Sequence, residues 1–179
     1  MGRTKALIEV DGVAMAARVA MALRDAGCVS VLAYGGDPGE LASLGIPVRP
    51  DRHPGSGPLG GVLGALELFA PEPDEPDDGP DGVFVVACDL PALKGSDLAR
   101  MVDAARRHPA ANVIVARTSA IEPACAIWRR SAIERIRDCF DEGERALHVA
   151  IGRLDSLEVE LDPAALRNIN TPEDLGRYP

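Results

Sequence analysis

The hydrophobic pattern of the chain alternates between short apolar runs and longer segments in which apolar residues recur at helical spacing. The clearest run covers residues 83–87 (VFVVA), with Gly82 before it and Asp89 shortly after it. A continuous apolar run of this length is typical of a strand buried on both faces inside a parallel sheet. Residues 13–26 instead carry apolar residues at three- and four-residue intervals, which predicts a helix that ends before Gly27.

The same reasoning divides the rest of the chain into further strands and helices. Strands are predicted at residues 29–33, 46–49, 112–116, 125–128 and 157–161, the fourth of them antiparallel and at a sheet edge. Helices are predicted at residues 38–44, 58–69, 96–107, 131–140 and after Thr171. Ser131 and Glu134 have the spacing of a capping box at one helix start. The alternation predicts a doubly wound α/β fold, a mostly parallel sheet sandwiched by helices, in a single domain over residues 1–179.

Composition adds one unusual segment, an acidic and proline-rich loop at residues 71–82. Residues 72–81 contain six acidic residues and no basic one, so most of the formal net charge of −9 lies in this segment. Such a segment cannot bury apolar surface, and we expect it to be a mobile, dispensable surface loop. Since no basic stripe occurs elsewhere in the sequence, we expect no nucleic-acid partner.

The cysteines and the hydropathy indicate the compartment. The four cysteines are widely spaced, without a CxxC pair or a Cys/His cluster, which is typical of reduced thiols rather than of disulfides or zinc ligands. No apolar run approaches the roughly 18 residues of a membrane span, and the first residues lack the charged-then-apolar pattern of a signal peptide. We therefore expect a cytoplasmic protein without a membrane partner.

One carboxylate has a position that suggests chemistry. Asp89 follows the apolar run 83–87, and ligands of open α/β sheets bind outside the carboxyl ends of the strands. Mg²⁺ takes one or two protein carboxylates and otherwise uses phosphate and water oxygens, so Asp89 is a candidate Mg²⁺ ligand. The alternative is that Asp89 caps the next helix, although Ser96 is better placed for that role.

A glycine-rich loop precedes the helix predicted at residues 58–69. Residues 54–61 read PGSGPLGG, a spacing that matches neither the P-loop nor the GxGxxG motif. Glycines let a backbone approach a ligand closely, and a helix N-terminus favours anions. A tightly packed turn explains the same glycines equally well.

Six short motifs occur in an order that spans almost the whole chain. They are MGRTK at residues 1–5, GPLGG at 57–61, CDLP at 88–91, EPA at 122–124, GER at 143–145 and NINTPE at 168–173. The ordered set resembles the molybdenum cofactor guanylyltransferases of the MobA type, which have the nucleotide-diphospho-sugar-transferase-like fold. The resemblance implies an enzyme that transfers GMP from GTP to molybdopterin and releases pyrophosphate, with Mg²⁺ as cofactor.

The resemblance also implies roles for single residues near the reacting groups. Asp89 would be the metal carboxylate, and Lys5 would neutralise the phosphates of GTP. Asn168 and Asn170 would lie on the molybdopterin side. Considered without the motif, Lys5 is an ordinary surface lysine, and the two asparagines simply fix a turn before the last helix.

On the nucleotide side, the resemblance implies a contact from Asp51 and from the glycine-rich loop. The loop residues concerned are Gly57, Pro58, Leu59 and Gly60. Phosphoryl transfer needs little covalent help, so positioning of two anions beside Mg²⁺ and a lysine is the expected mode of catalysis. Beyond GTP and molybdopterin, the expected partners are molybdoenzymes or other cofactor-biosynthesis proteins.

The sequence departs from the family pattern in two places. The family has an asparagine in the loop after its second strand, where this chain has Ala33-Tyr34-Gly35. The family also opens with a buried strand and a Leu-Ala-Gly-Gly loop before its Arg-Met-Gly, whereas this sequence begins at that Met. We therefore expect an N-terminally truncated fold that lacks its main guanine and phosphate cradle, and a true N-terminus further upstream.

Two other functions stay open at this point. Base specificity is normally set by the absent loop, so a molybdopterin cytidylyltransferase or a phospholactate guanylyltransferase is an alternative. The other is a non-catalytic homologue that binds the cofactor or a partner protein. Retention of Lys5, Asp89 and the two asparagines argues against that second alternative.

Overall fold

The structure, a computed structural model, describes residues 5–70, 79–169 and 174. Its strands are β1 (Glu9–Val10), β2 (Val13–Ala14), β3 (Ala33–Tyr34), β4 (Val48–Arg49), β5 (Gly82–Val86), β6 (Val113–Arg117), β7 (Ile121–Arg129) and β8 (Ser156–Glu160). Its helices are α1 (Met15–Asp25), α2 (Pro38–Ala42), α3 (Gly57–Leu68), α4 (Gly95–Arg107), α5 (Ile133–Asp141) and α6 (Leu147–Ile151). No helix in the three described ranges combines the length and the apolar character needed to cross a membrane.

A four-stranded mixed sheet in the order β5-β7-β6-β8 forms the centre of the fold. Strand β7 pairs antiparallel with β5 on one side and with β6 on the other, while β6 and β8 run parallel. The predicted α/β fold is confirmed, but the expectation of a mostly parallel sheet is wrong. The strand predicted at residues 125–128 is antiparallel as expected, yet it is central rather than at an edge.

Strand β5 is an edge of this sheet within the described residues, not the parallel central strand that its sequence predicts. Each of its five residues is only half-buried, and β7 is the one described strand with which it pairs. The apolar run correctly indicates that both faces of β5 are covered by helices. It carries no information on the direction or the number of neighbouring strands, and that is why the prediction fails.

Alternate strand residues face two separate hydrophobic cores, one on each side of the sheet. Ile114 and Cys125 point into the core that α1 and α4 cover. Val113 and Trp128 point into the core that α3, α5 and α6 cover. All four of these side chains are fully buried, and burial of a large apolar side chain stabilises a fold by about 1.5–3 kcal/mol. The result is a three-layer sandwich of helices, sheet and helices.

A second, smaller parallel sheet consists of β3 and β4. Ala33 pairs with Val48, and Tyr34 pairs with Arg49. The strand predicted at residues 29–33 therefore begins only at its last residue, and Val29 is fully exposed. In the described chain β4 is the single partner of β3 and has only two residues, so no ladder extends to positions 29–32.

Strand β7 bulges away from β6 close to the carboxyl end of β5. The register between β6 and β7 shifts between Val115 and Ala116. Pro123 lies in the displaced part of β7, and a proline has no N–H for a ladder. On the other side Ala87 donates its N–H to the carbonyl of Ala124 at 2.8 Å, so the bulged segment stays bound to the end of β5.

The capping box predicted at Ser131 and Glu134 is wrong. A 3₁₀ turn covers Arg130–Ala132, and α5 begins only at Ile133, without a side-chain cap. The hydroxyl of Ser131 instead accepts a hydrogen bond from the side-chain amide of Asn112 at 3.3 Å. A tertiary contact with the start of β6 therefore replaces the local cap.

Two predicted segments lie wholly or largely outside the described residues. Of the acidic loop at 71–82, the described part begins at Gly79, and the carbonyl of Asp81 accepts the N–H of Arg130 at 2.8 Å. This contact ties the C-terminal end of the loop to the end of β7. Of the helix predicted after Thr171, only Asp174 is described, and it is helical.

Tyr34 packs on α3 because Gly64 has no side chain, which gives a test of this packing. A Cβ at Gly64 would overlap the Tyr34 hydroxyl, whereas a Cβ at Gly61 on the same helix would meet nothing within 4 Å. We expect Gly64→Ala to displace Tyr34, to break its 2.8 Å hydrogen bond from the N–H of Arg52 and to lower the free energy of unfolding by about 1–3 kcal/mol.

Gly61→Ala is the matched control, and it should raise the free energy of unfolding by about 0.5–1 kcal/mol because alanine favours the helix. Urea unfolding of both variants measures the difference. Equal stabilisation by the two substitutions would contradict the packing of Tyr34 on Gly64.

Candidate active site

Asp89 lies in the turn that joins β5 to α4, at the carboxyl end of the strand. Its backbone carbonyl accepts the N–H of Ile169 at 3.0 Å. Its side-chain Oδ1 is buried and accepts no hydrogen bond from the residues that the structure describes. A buried carboxylate oxygen without a donor is costly, by about 1–3 kcal/mol or more, so it favours the binding of a cation.

The alternative role of Asp89 as a helix cap does not fit the structure. Helix α4 begins at Gly95, with Lys94 as its N-cap. The Lys94 N–H is bound by the Asp97 carboxylate at 3.1 Å, so Asp97, not Asp89 or Ser96, supports this helix start. The carboxylate of Asp89 therefore does not cap α4.

Lys5 and Asp89 both lie near the thiol of Cys88. Burial raises the pKa of this thiol, the negative charge of Asp89 raises the pKa further, and the positive charge of Lys5 lowers it. Cys88 packs in turn against the small core that contains Ala6, the neighbour of Lys5. The structure therefore brings together the two residues that the resemblance assigns to metal and phosphate.

The C-terminal asparagine motif is anchored by the residue between its two asparagines. Ile169 is 1% exposed and packs with Val10 and Met15 in a separate small core. Asn168 is exposed beside this anchor, whereas Asn170 lies outside the described residues. The Ile169 N–H contact with the backbone of Asp89 places Asn168 next to the metal candidate.

Asp51 belongs to a second neighbourhood, around Tyr34 and α3. Its Oδ1 accepts the N–H of His53 at 2.9 Å and so fixes the turn after β4. Burial raises the pKa of the Tyr34 hydroxyl, and the negative charge of Asp51 adds to that increase. Tyr34 lies in the Ala33-Tyr34-Gly35 segment, and its ring fills the space over Gly64.

The glycine-rich loop is held against the GER segment. Gly57 opens α3 with φ +72°, a conformation that favours glycine, and a Cβ there would lie 3.3 Å from the Arg145 side chain. Leu59 donates its N–H to the Arg145 carbonyl at 3.2 Å, and Pro58 has no N–H. Gly60 would also be crowded by a side chain. These contacts give the loop a packing role in addition to the predicted nucleotide contact.

Sequence reasoning gave the GER segment no function beyond the resemblance, and the structure supplies one. The Glu144 carboxylate accepts the N–H groups of Arg145 and Ala146, which lowers the pKa of Glu144. The Arg145 guanidinium lies 4.0 Å above the centre of the Phe140 ring. His53 contacts the same ring, with 5.1 Å between the ring centres. The segment therefore links α5 to the start of α3.

The described residues contain no group of three or more His, Cys, Asp or Glu side chains that could hold a metal ion by themselves. A single carboxylate at Asp89 is instead the pattern that suits Mg²⁺, which keeps water and phosphate oxygens in its coordination shell. The donor set present thus fits a metal that arrives with a nucleoside triphosphate.

A family profile described as "MobA-like NTP transferase domain" matches residues 1–157. The chain belongs to this family. The predicted enzyme class, a nucleotidyltransferase, is therefore confirmed.

Individual proteins support the family assignment. A molybdenum cofactor guanylyltransferase of Rhodobacter capsulatus is 32% identical over 179 residues, covering 99% of this chain and 87% of the relative. Molybdopterin-guanine dinucleotide biosynthesis protein A of Archaeoglobus fulgidus superposes with a TM-score of 0.72 at 20% identity, covering 97% of this chain and 88% of that one. Rv0371C of Mycobacterium tuberculosis H37Rv, solved in complex with manganese, has a TM-score of 0.68 at 19% identity, covering 99% and 92%. The resemblance and the expected nucleotide-diphospho-sugar-transferase-like α/β fold are both confirmed, with a mixed sheet in place of a mostly parallel one.

Asp89→Asn tests the metal role of the unpartnered carboxylate. The amide keeps the shape of the side chain but loses the charge, so we expect affinity for Mn²⁺ in the presence of GTP to fall by about tenfold or more. The melting temperature without metal should not fall, since no hydrogen bond to Oδ1 is lost and an uncompensated buried charge is removed. Loss of the free Mn²⁺ electron paramagnetic resonance signal on binding measures the affinity.

Asp103→Asn is the matched control, because Asp103 is an exposed carboxylate on α4 whose ion pair with Arg106 lies on the surface. It should bind Mn²⁺ as the wild type does. Wild-type Mn²⁺ affinity in Asp89→Asn would remove Asp89 from the metal role.

Proposed function

We propose that the protein transfers the guanylyl group of GTP to molybdopterin, with Mg²⁺, and releases pyrophosphate. The observation that carries this proposal is the buried Oδ1 of Asp89, which accepts no hydrogen bond from the described residues. Lys5 lies near the adjacent thiol of Cys88, and Ile169 is bound to the backbone of Asp89. The name of the R. capsulatus relative supports the choice of guanine and of the molybdenum cofactor.

The reaction exchanges one phosphoanhydride bond for another. A terminal phosphate oxygen of molybdopterin attacks the α-phosphorus of GTP, and the bond from that phosphorus to the pyrophosphate oxygen breaks. Mg²⁺, when bound, would neutralise charge on the triphosphate and on the transition state. Asp89 would hold the ion, and the Lys5 ammonium would offset phosphate charge close to it.

The two neighbourhoods of the site divide the substrates between them. Asp51 and the loop residues Gly57, Pro58, Leu59 and Gly60 would serve GTP. Within that loop the Leu59 N–H is bound to Arg145, so we assign Leu59 to shaping the loop and not to donating to phosphate. Asn168 and Asn170 would serve molybdopterin on the C-terminal side of Asp89.

A cytoplasmic location fits this reaction. All four cysteines (Cys28, Cys88, Cys125 and Cys139) are free thiols, as expected in a reducing compartment. Molybdoenzymes and other cofactor-biosynthesis proteins would then receive or supply the product and the substrate.

A comparison of nucleotides tests the choice of base. We expect GTP with Mg²⁺ to raise the melting temperature more than CTP does, since binding to the folded state alone stabilises it. Transfer of the α-phosphate label of GTP to molybdopterin should accompany pyrophosphate release. Preference for CTP would indicate a cytidylyltransferase, and no response to any nucleotide would indicate a non-catalytic homologue.

Asn168→Ala tests the division of substrates. Removal of one hydrogen-bond partner costs about 1–3 kcal/mol, so we expect the KM for molybdopterin to rise by roughly 5- to 150-fold. The Kd for GTP should stay unchanged, because Asn168 lies on the C-terminal side of the site. Steady-state kinetics with each substrate varied in turn measures both, and an equal loss for GTP would contradict the assignment.

A further inference from the structure

The Asp89 turn has no regular structure of its own and depends on contacts from outside. Residues 87–94 are neither strand nor helix, so the ladder of β5 and the first turn of α4 do not fix Asp89. Leu90 and Leu93 anchor the turn in the core beneath it, at 2% and 5% exposure. Ile169 holds the backbone of Asp89 on its carbonyl side. Within the turn the Leu93 N–H donates to the Leu90 carbonyl at 3.3 Å, and the Pro91 carbonyl takes its partner from another segment.

Arg18, on α1, supplies that partner. Its Nε donates to the Pro91 carbonyl at 3.0 Å, two residues beyond Asp89. Its Nη1 donates to the Val10 carbonyl at 3.1 Å and contacts the Asp11 carboxylate at 3.3 Å. One guanidinium thus connects α1, the β1–β2 turn and the Asp89 turn.

The geometry requires an arginine. The guanidinium is planar and presents donors in fixed, diverging directions, so Nε and Nη1 can serve two carbonyls from different segments at once. A lysine ammonium at the end of a flexible stem would satisfy one of them. Only 26% of the Arg18 side chain is exposed, whereas the Asp11 side chain is 68% exposed, so the two carbonyl contacts are the better shielded ones.

We propose that Arg18 is a positioning residue that holds the Asp89 carboxylate in the orientation that binds the divalent cation. It acts through the Pro91 carbonyl on one side of Asp89, while Ile169 acts on the other side. The inference rests on the proposed function, in which Asp89 is the metal ligand. Groups that orient a metal ligand typically contribute 10- to 100-fold to metal affinity.

Mn²⁺ binding in the presence of GTP tests this role without reference to turnover. We expect Arg18→Gln to weaken Mn²⁺ affinity by about tenfold or more, measured by electron paramagnetic resonance of free Mn²⁺. Arg24→Gln is the matched control, because Arg24 is an exposed arginine on the same helix, and it should bind Mn²⁺ like the wild type. Mn²⁺ affinity equal to wild type in Arg18→Gln would overturn the inference.

Two further variants separate positioning from general stability. Arg18→Lys keeps the charge and the aliphatic stem and is used if Arg18→Gln does not fold; it should still lose Mn²⁺ affinity. In an Asp89→Asn background, Arg18→Gln should cause no further loss, because Arg18 acts through Asp89. An equal loss of Mn²⁺ affinity in both backgrounds would show an independent effect and overturn the inference.

Measurements on the wild-type protein distinguish a failure of the Arg18 inference from a failure of the proposed function. If the wild type binds Mn²⁺ with GTP and the Arg18 variants match it, only the role of Arg18 is wrong. If the wild type does not bind Mn²⁺ with any nucleotide, the proposed function is wrong, and the inference is overturned with it.

Discussion

The antiparallel pairing of β7 with two neighbours is the constraint on which the rest of the fold depends. Its register sets which side chains face α1 and α4 and which face α3, α5 and α6. A one-residue slip would exchange those two sets and bring every helix against the wrong surface. The bulge at Pro123 interrupts β7 beside β6 while the Ala124 carbonyl keeps its bond to β5. The direction in which the chain leaves β5, and hence the position of Asp89, follows from this pairing.

The candidate site combines one destabilising group, the buried carboxylate oxygen of Asp89, with several weakly stabilising contacts. A buried carboxylate oxygen without a donor destabilises the protein on its own, and a site that binds a cation tolerates it because the cation removes the cost. The supports are a backbone hydrogen bond from Ile169, a side-chain hydrogen bond from Arg18 and the apolar burial of Leu90 and Leu93. Each of these contacts contributes little free energy. Together they keep the charged Asp89 side chain in its buried position.

Local sequence patterns predicted most elements, but not the pairing of strands. The helices at α1, α3 and α4 were predictable because their apolar residues recur at helical spacing over three turns or more. The positions of β5 and β7 in the sheet were not predictable, because an apolar run does not determine which strands pair with it. Ser131 illustrates the same limit at a helix start, since its hydroxyl binds Asn112, a partner distant in sequence.

At the site, the resemblance predicted roles for Asp89 and Lys5, and both residues lie near Cys88. Nothing in the sequence singled out Arg18 as a site residue, because a single arginine on an amphipathic helix has the pattern of a solvated surface residue. For Gly57 and Gly60 the sequence left packing and ligand contact as equal alternatives, since a glycine-rich loop has the same sequence whether it meets a ligand or the Arg145 segment.

The bond between Ile169 and Asp89 joins two segments that are far apart along the chain, and this has a consequence for biosynthesis. Contacts of long sequence separation form late and slowly, and a chain is made from its N-terminus onward. While β5 and α4 are already available on the ribosome, the segment around Ile169 emerges later, well after α4 is complete. Nascent chains that end before Ile169 therefore lack this support for the backbone of Asp89.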